Sequence, residues 1–82
     1  MTQVRLYTRP GCHLCDEARD LIRGMRGELR EFDLEEIDID SDDELLSAYL
    51  ERIPVVAVDG RIFSELELSA DALRANLGHA SA

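Results

Sequence analysis

A chain of 82 residues with 45% hydrophobic content, five glycines and two prolines makes one small globular domain, 1–82, with room for a single core. Its nine arginines, no lysine and eighteen carboxylates leave a net charge of −9, which disfavours nucleic acid and membrane surfaces as partners, since both call for a cationic face. No apolar run nears the roughly 18 residues of a membrane helix, and Met1-Thr2-Gln3 leads straight into an apolar segment without room for a signal peptide, so the expected location is cytoplasmic.

Val4, Leu6 and Tyr7 predict a short buried strand, ended by the turn residues of Thr8-Arg9-Pro10-Gly11. From Cys12, apolar Leu14, Cys15, Ala18, Leu21, Ile22 and Met25 recur at helical spacing, with Arg19, Asp20, Arg23 and Arg26 on the other face. Gly24 and Gly27 mark the end of that helix. A second strand is expected over Leu34 to Ile39, although Leu34 and Ile37 differ in phase. The acidic run from Glu31 to Glu44 alternates with Phe32, Leu34, Ile37 and Ile39, the pattern of a solvated strand edge and a helix cap. Ser41-Asp42-Asp43-Glu44 reads as a capping box with Ser41 at the N-cap, opening a short helix to about Leu50 with Leu45, Leu46 and Tyr49 inward. Pro54 to Val58 is the strongest strand signal, Asp59-Gly60 a hairpin turn, and Arg61 to Phe63 the returning strand. Ser69 caps a last helix carrying Leu73 and Leu77, with Gly78 near its end. The order is β-α-β-α-β-β-α.

Cys12-His13-Leu14-Cys15 holds the only two cysteines, at a predicted helix start. In a reducing compartment a close pair of thiols is catalytic or metal-binding more often than structural. Unpaired amides and the helix dipole favour negative charge at Cys12 and lower its expected pKa from the free thiol's value of about 8.5, and Arg9 can add positive charge. Asp16 and Glu17 in the same turn oppose ionisation, and Arg19 offsets them in part. Cys15, one turn further in, can reach Cys12 and should be the more buried, which makes Cys12 the attacking thiol and Cys15 the resolving one. His13 is expected to be a contact or tuning residue rather than a base. Half of a zinc site has the same cysteine spacing but needs four ligands, for which only His13 and His79 stand as further candidates beside the pair. Covalent haem attachment is excluded, because Asp16 rather than histidine follows Cys15.

Tyr7-Thr8-Arg9-Pro10-Gly11-Cys12-His13-Leu14-Cys15-Asp16-Glu17-Ala18, followed by Ile53-Pro54-Val55-Val56 and Asp59-Gly60, resembles a small glutaredoxin-like protein of the thioredoxin superfamily. The resemblance covers nearly the whole chain. It implies an α/β, thioredoxin-like fold, a four-stranded mixed sheet flanked by three helices, with the cysteines at the first helix. It also implies that Pro54 is cis beside Cys12 and that the Ile53 backbone pairs with a bound peptide or glutathione by strand addition. The implied activity is thiol–disulfide exchange on protein or glutathione mixed disulfides by a monomer with no bound cofactor. Glutathione is a candidate co-substrate, and the electron donor is either glutathione or a thioredoxin-reductase-like flavoenzyme. The alternatives are a metal or iron–sulfur module and a redox-silent interaction domain. Two departures stand out. His13-Leu14 replaces the family's usual Pro-Tyr, and Ser64-Glu65-Leu66-Glu67-Leu68 replaces a glycine pair that leads to a glutathione carboxylate grip. Carboxylates there repel an anionic ligand, although Ser69 and the amides after it could still receive a carboxylate.

Overall fold

The computed structural model describes residues 2–78. It contains strands β1 (Thr2–Thr8), β2 (Phe32–Asp38), β3 (Val55–Val58) and β4 (Arg61–Ser64), and helices α1 (His13–Gly24), α2 (Asp43–Tyr49) and α3 (Ala70–Leu77). The strands form one sheet in the order β2-β1-β3-β4. β1 and β2 run parallel, joined through α1 as a parallel pair requires, and the other pairings are antiparallel. The result is the expected thioredoxin-like arrangement of a mixed sheet and three helices.

β3 and β4 meet at Asp59-Gly60, where both residues have positive φ (48° and 86°), the signature of a type I′ hairpin turn. The main core lies on one face of the sheet. Val4, Leu6, Phe32, Val56 and Val58 pack there with Ala18 and Ile22 of α1 and Leu73 and Leu77 of α3. On the opposite face Tyr7 stacks on Tyr49 of α2, ring centroids 4.7 Å apart. Two covered faces explain why all four residues of β3 are buried. They also explain the mixed phase of β2, since Leu34 packs against the main core while Ile37 is in register with Tyr7 on the other face.

Two boundaries differ from the sequence reading. β2 begins at Phe32 and stops at Asp38, and Ile39 instead starts a 3₁₀ turn, Ile39–Ser41, with its side chain fully buried. Asp42, not Ser41, is the N-cap of α2: its carboxylate accepts from the Glu44 amide at 2.8 Å. The Ser41 hydroxyl donates to the Asp38 carbonyl at 2.7 Å and so closes the preceding turn. Both residues are good caps, and the 3₁₀ turn decides between them by consuming Ser41. Leu45, Leu46 and Tyr49 are half-buried rather than core residues. The acidic run is a solvated edge, with Glu35 paired to Arg5 at 3.0 Å and Glu36 to Arg23 at 2.9 Å. Among the described residues no helix is long and apolar enough to cross a membrane.

Candidate active site

Arg9-Pro10-Gly11-Cys12 is a tight turn between β1 and α1. The Cys12 amide donates to the Arg9 carbonyl at 3.1 Å, and Gly11 takes φ +81°. Proline second and a left-handed glycine third are the residues a type II turn demands. The turn delivers Cys12 to the N-cap of α1, where its Sγ accepts from the Cys15 amide at 3.2 Å. A sulfur in that position receives one of the helix's unpaired N–H groups and faces the positive end of its dipole, and both favour thiolate over thiol.

Cys12 and Cys15 form a disulfide in the structure, with Cα atoms 5.2 Å apart. Their exposures differ sharply. Cys15 is 1% exposed and belongs to the buried set, whereas Cys12 is only half-buried. His13, between them, is exposed. Among the described residues no group of three or more His, Cys, Asp and Glu side chains is arranged to hold a metal ion. His79, the other candidate ligand, lies outside the described residues.

Pro54 is buried and the Ile53–Pro54 peptide is cis, as the resemblance implies. Val55 pairs with Tyr7 across the sheet, so Pro54 sits at the same sheet end as the Thr8-to-Cys12 connection. The Ile53 amide donates to the Tyr49 carbonyl at 3.1 Å. Strand addition at Ile53 therefore has to use its carbonyl or displace that bond.

Charge near the site is paired off in a way the sequence did not disclose. Arg9 donates through Nε to both carboxylate oxygens of Asp40 at 2.9 and 3.2 Å, so its charge is shared with a residue 31 positions away. Arg19 lies 3.4 Å from Asp16 and 3.6 Å from Asp20. Arg52, just before Ile53-Pro54, pairs with Glu65 and lies over the Tyr49 ring at 5.3 Å. The hydrogen bond from Arg52 holds the Glu65 carboxyl below the ordinary glutamate range, with desolvation opposing the shift and the Arg52 charge adding to it. Ser69 spends its hydroxyl capping α3, accepting from the Ala72 amide at 3.1 Å. Asp40 and Arg52 are the neighbours that sequence reasoning missed. Arg52 carried a weak signal, its place beside Ile53-Pro54, but nothing in the order of residues announces a partner 13 positions on.

A depressed carboxyl pKa means that the contribution of the pair is present above the unfolded pKa of about 4.3 and is lost as pH falls through the lower folded value. A carboxyl-detected NMR titration should place the Glu65 midpoint below that of a free glutamate, and Arg52→Ala should return it to the ordinary range. An unshifted midpoint in the unsubstituted protein would show that the pair does not persist in solution.

A paired-cysteine turn capping the first helix, at the same sheet end as a buried cis-proline on a mixed four-stranded sheet, defines a thioredoxin-fold protein with a dithiol/disulfide site. The sequence matches the family described as Glutaredoxin-like domain (DUF836) over residues 3–78, and the chain belongs to that family. It is 33% identical over 84 residues to the protein Rv0508 of Mycobacterium tuberculosis, covering 96% of this chain and 86% of that one. It is 32% identical over 75 residues to a Dictyostelium discoideum protein named as a glutaredoxin-like protein, covering 85% and 69% respectively. The solution structure of Ne2328 from Nitrosomonas europaea superposes with a TM-score of 0.80 at 31% identity, over 93% of this chain and 91% of that one. Family and cysteine pair together fit a redox role.

Proposed function

We infer that the protein is a thiol–disulfide oxidoreductase in which Cys12 attacks and Cys15 resolves. The observation that carries this reading is the asymmetry of the pair: a half-buried Cys12 whose sulfur accepts a helix amide, backed by a cysteine that is 1% exposed. In the reduced protein the Cys12 thiolate attacks one sulfur of a substrate disulfide. The substrate S–S bond breaks, a mixed disulfide forms, and the departing thiolate takes a proton. Cys15 then loses its proton and attacks Cys12 Sγ, which releases the second substrate thiol and closes the Cys12–Cys15 disulfide. Two electrons have moved from the protein to the substrate, and a thiol or dithiol donor must restore them.

Arg9, His13, Ile53 and Pro54 are the residues assigned to substrate contact, with Ile53 contributing backbone rather than side chain. Partners on this reading are protein disulfides, and the working form is a cytoplasmic monomer. The donor is either glutathione with its reductase or a thioredoxin-reductase-like flavoenzyme. Running disulfide reduction separately with each donor tests the reading. Turnover above the uncatalysed rate with at least one is the expected result, and none with either would sink it.

A further inference from the structure

Beside the cysteine pair runs an open cavity of about 360 Å³ between α1 and the loop joining β4 to α3. Its apolar lining includes Leu14, Leu21, Leu66 and Leu68, and Glu17 and Glu67 complete its rim. Leu14 is 47% exposed and Leu66 52% exposed, two of the few large apolar side chains left to solvent among the described residues. Neighbouring exposed leucines around a concavity beside a reactive pair mark a contact surface more than they mark chance.

Leu66 is also strained. It takes φ +67°, in the left-handed region that a bulky side chain rarely occupies. The surrounding bonds hold it there. Its amide donates to the Arg52 carbonyl at 3.0 Å, the Glu67 amide to the Glu65 carbonyl at 2.8 Å, and the Ser64 hydroxyl to the Glu67 carbonyl at 3.3 Å. A glycine would relieve the strain, yet this position holds a leucine that is half exposed. Strain held in place by neighbouring bonds at a site margin is a reason to look for function.

The rim has one sign of charge. Arg9, Arg19 and Arg52, the arginines around the site, are each committed to a carboxylate of this chain. Glu17 and Glu67 have no ion-pair partner among the described residues. Any ligand here meets two uncompensated carboxylates and no uncompensated arginine, so an anionic one is repelled and a cationic one attracted. Leu14 and Leu21 are seven residues apart on α1, a rise of about 10 Å, which is the length of roughly three extended residues. The groove therefore suits a stretch of chain rather than a single side chain.

We propose that this groove selects protein substrates whose disulfide-bonded cysteine has an apolar residue within about three positions and Lys or Arg beside it, and that it discriminates against anionic disulfides such as glutathione disulfide. The proposal rests on the oxidoreductase reading and concerns which disulfides Cys12 meets. The chemistry is the exchange given above, and the protein itself supplies both electrons in a single turnover.

The test uses fully reduced protein and four probes, with no electron donor. They are a neutral small disulfide (bis(2-hydroxyethyl) disulfide), glutathione disulfide, and two peptides bearing a Cys–mercaptoethanol disulfide. Each peptide has a leucine two residues from its cysteine, flanked in one by two lysines and in its twin by two glutamates. At low ionic strength the lysine peptide should be reduced about tenfold faster than its twin and faster than glutathione disulfide, and about 0.5 M salt should shrink the peptide gap. Glu17→Gln with Glu67→Gln should bring the two peptides within about twofold of each other. Glu31→Gln with Asp33→Asn removes as much charge at the far end of the sheet and should keep the gap. Leu66→Ser should slow the lysine peptide. Equal peptide rates, or a gap that survives the loss of Glu17 and Glu67, would overturn the groove assignment while reduction of the neutral disulfide left the enzyme reading standing. Reduction of none of the four overturns both.

Discussion

Replacing Cys12 with serine should lower the rate of disulfide reduction by at least about a thousandfold, because a hydroxyl is far less acidic than a thiol and does not attack sulfur at neutral pH. The substitution isolates chemistry from folding. Serine is among the strongest N-cap residues, so its oxygen can take over the bond from the Cys15 amide that the Cys12 sulfur now receives at 3.2 Å. Helix α1 should keep its start and the thermal midpoint should move little. Cys15→Ser should behave differently. With Cys12 intact it should react once per molecule and stop as a stable mixed disulfide, visible as a single mass increment after acid quench. It should continue to turn over only where an external thiol such as glutathione can resolve that adduct. The opposite pattern, in which Cys12→Ser traps substrate and Cys15→Ser is inert, would reverse the assigned roles. The burial of Cys15 argues against it, since a sulfur 1% exposed cannot meet an incoming protein disulfide unless the turn opens.

The same turn shows why the electrostatics of the site had to be read from three dimensions. From the sequence, Arg9 was the cation expected to assist Cys12, and Glu65 a carboxylate expected to repel glutathione. The fold gives each a partner of its own. Arg9 meets Asp40 because the end of β1 lies beside the end of β2, and Glu65 meets Arg52 because the loop after β4 folds against the approach to Pro54. Both charges are compensated inside the chain. Glu17 and Glu67 are left as the uncompensated carboxylates on the groove rim.

Local signals carried most of the architecture. The element order and the Asp59-Gly60 hairpin were legible because each rests on periodicity or turn chemistry within a few residues. The start of α1 after Gly11 and the Ser69 cap were legible for the same reason. What failed was competition among equally good local candidates. Ser41 and Asp42 are both capable N-caps, and only the 3₁₀ turn, built on Asp38 and buried Ile39, settles which is used. The groove was illegible for a related reason. Leu14 and Leu21 look like core positions on a helical wheel, and Leu66 lies in a segment after the last strand that carried no signal of its own. That Leu14 and Leu66 stay exposed side by side depends on a positive φ that no leucine announces in sequence.

Ile22→Ala should damage the fold severely while leaving the site's chemistry untouched. Ile22 is fully buried on α1, in the cluster that joins Val4 and Leu6 of β1 to Leu73 of α3. Truncating such a side chain removes transfer free energy and leaves a cavity, for a loss of about 2–5 kcal/mol. A domain of this size has only about 5–15 kcal/mol in total, so a large share of it is at stake. Each kcal/mol moves the midpoint of a small domain by about 4–8 °C, so a loss of about 3 kcal/mol should lower Tm by roughly 12–24 °C in a calorimetric scan. Leu50→Ala, on a side chain 44% exposed at the end of α2, should stay within about 0.5 kcal/mol of the parent. Well below its midpoint, the Ile22→Ala protein should still reduce disulfides at nearly the parent rate per folded molecule, because the Cys12 turn is built from Arg9 to Cys15 and takes no contact from Ile22 in its hydrogen bonds. A shift of only a degree or two would mean that α1 repacks on the sheet when Ile22 is cut back. In that case the position of Cys12 would owe less to the core beneath it than to the type II turn and the N-cap bond.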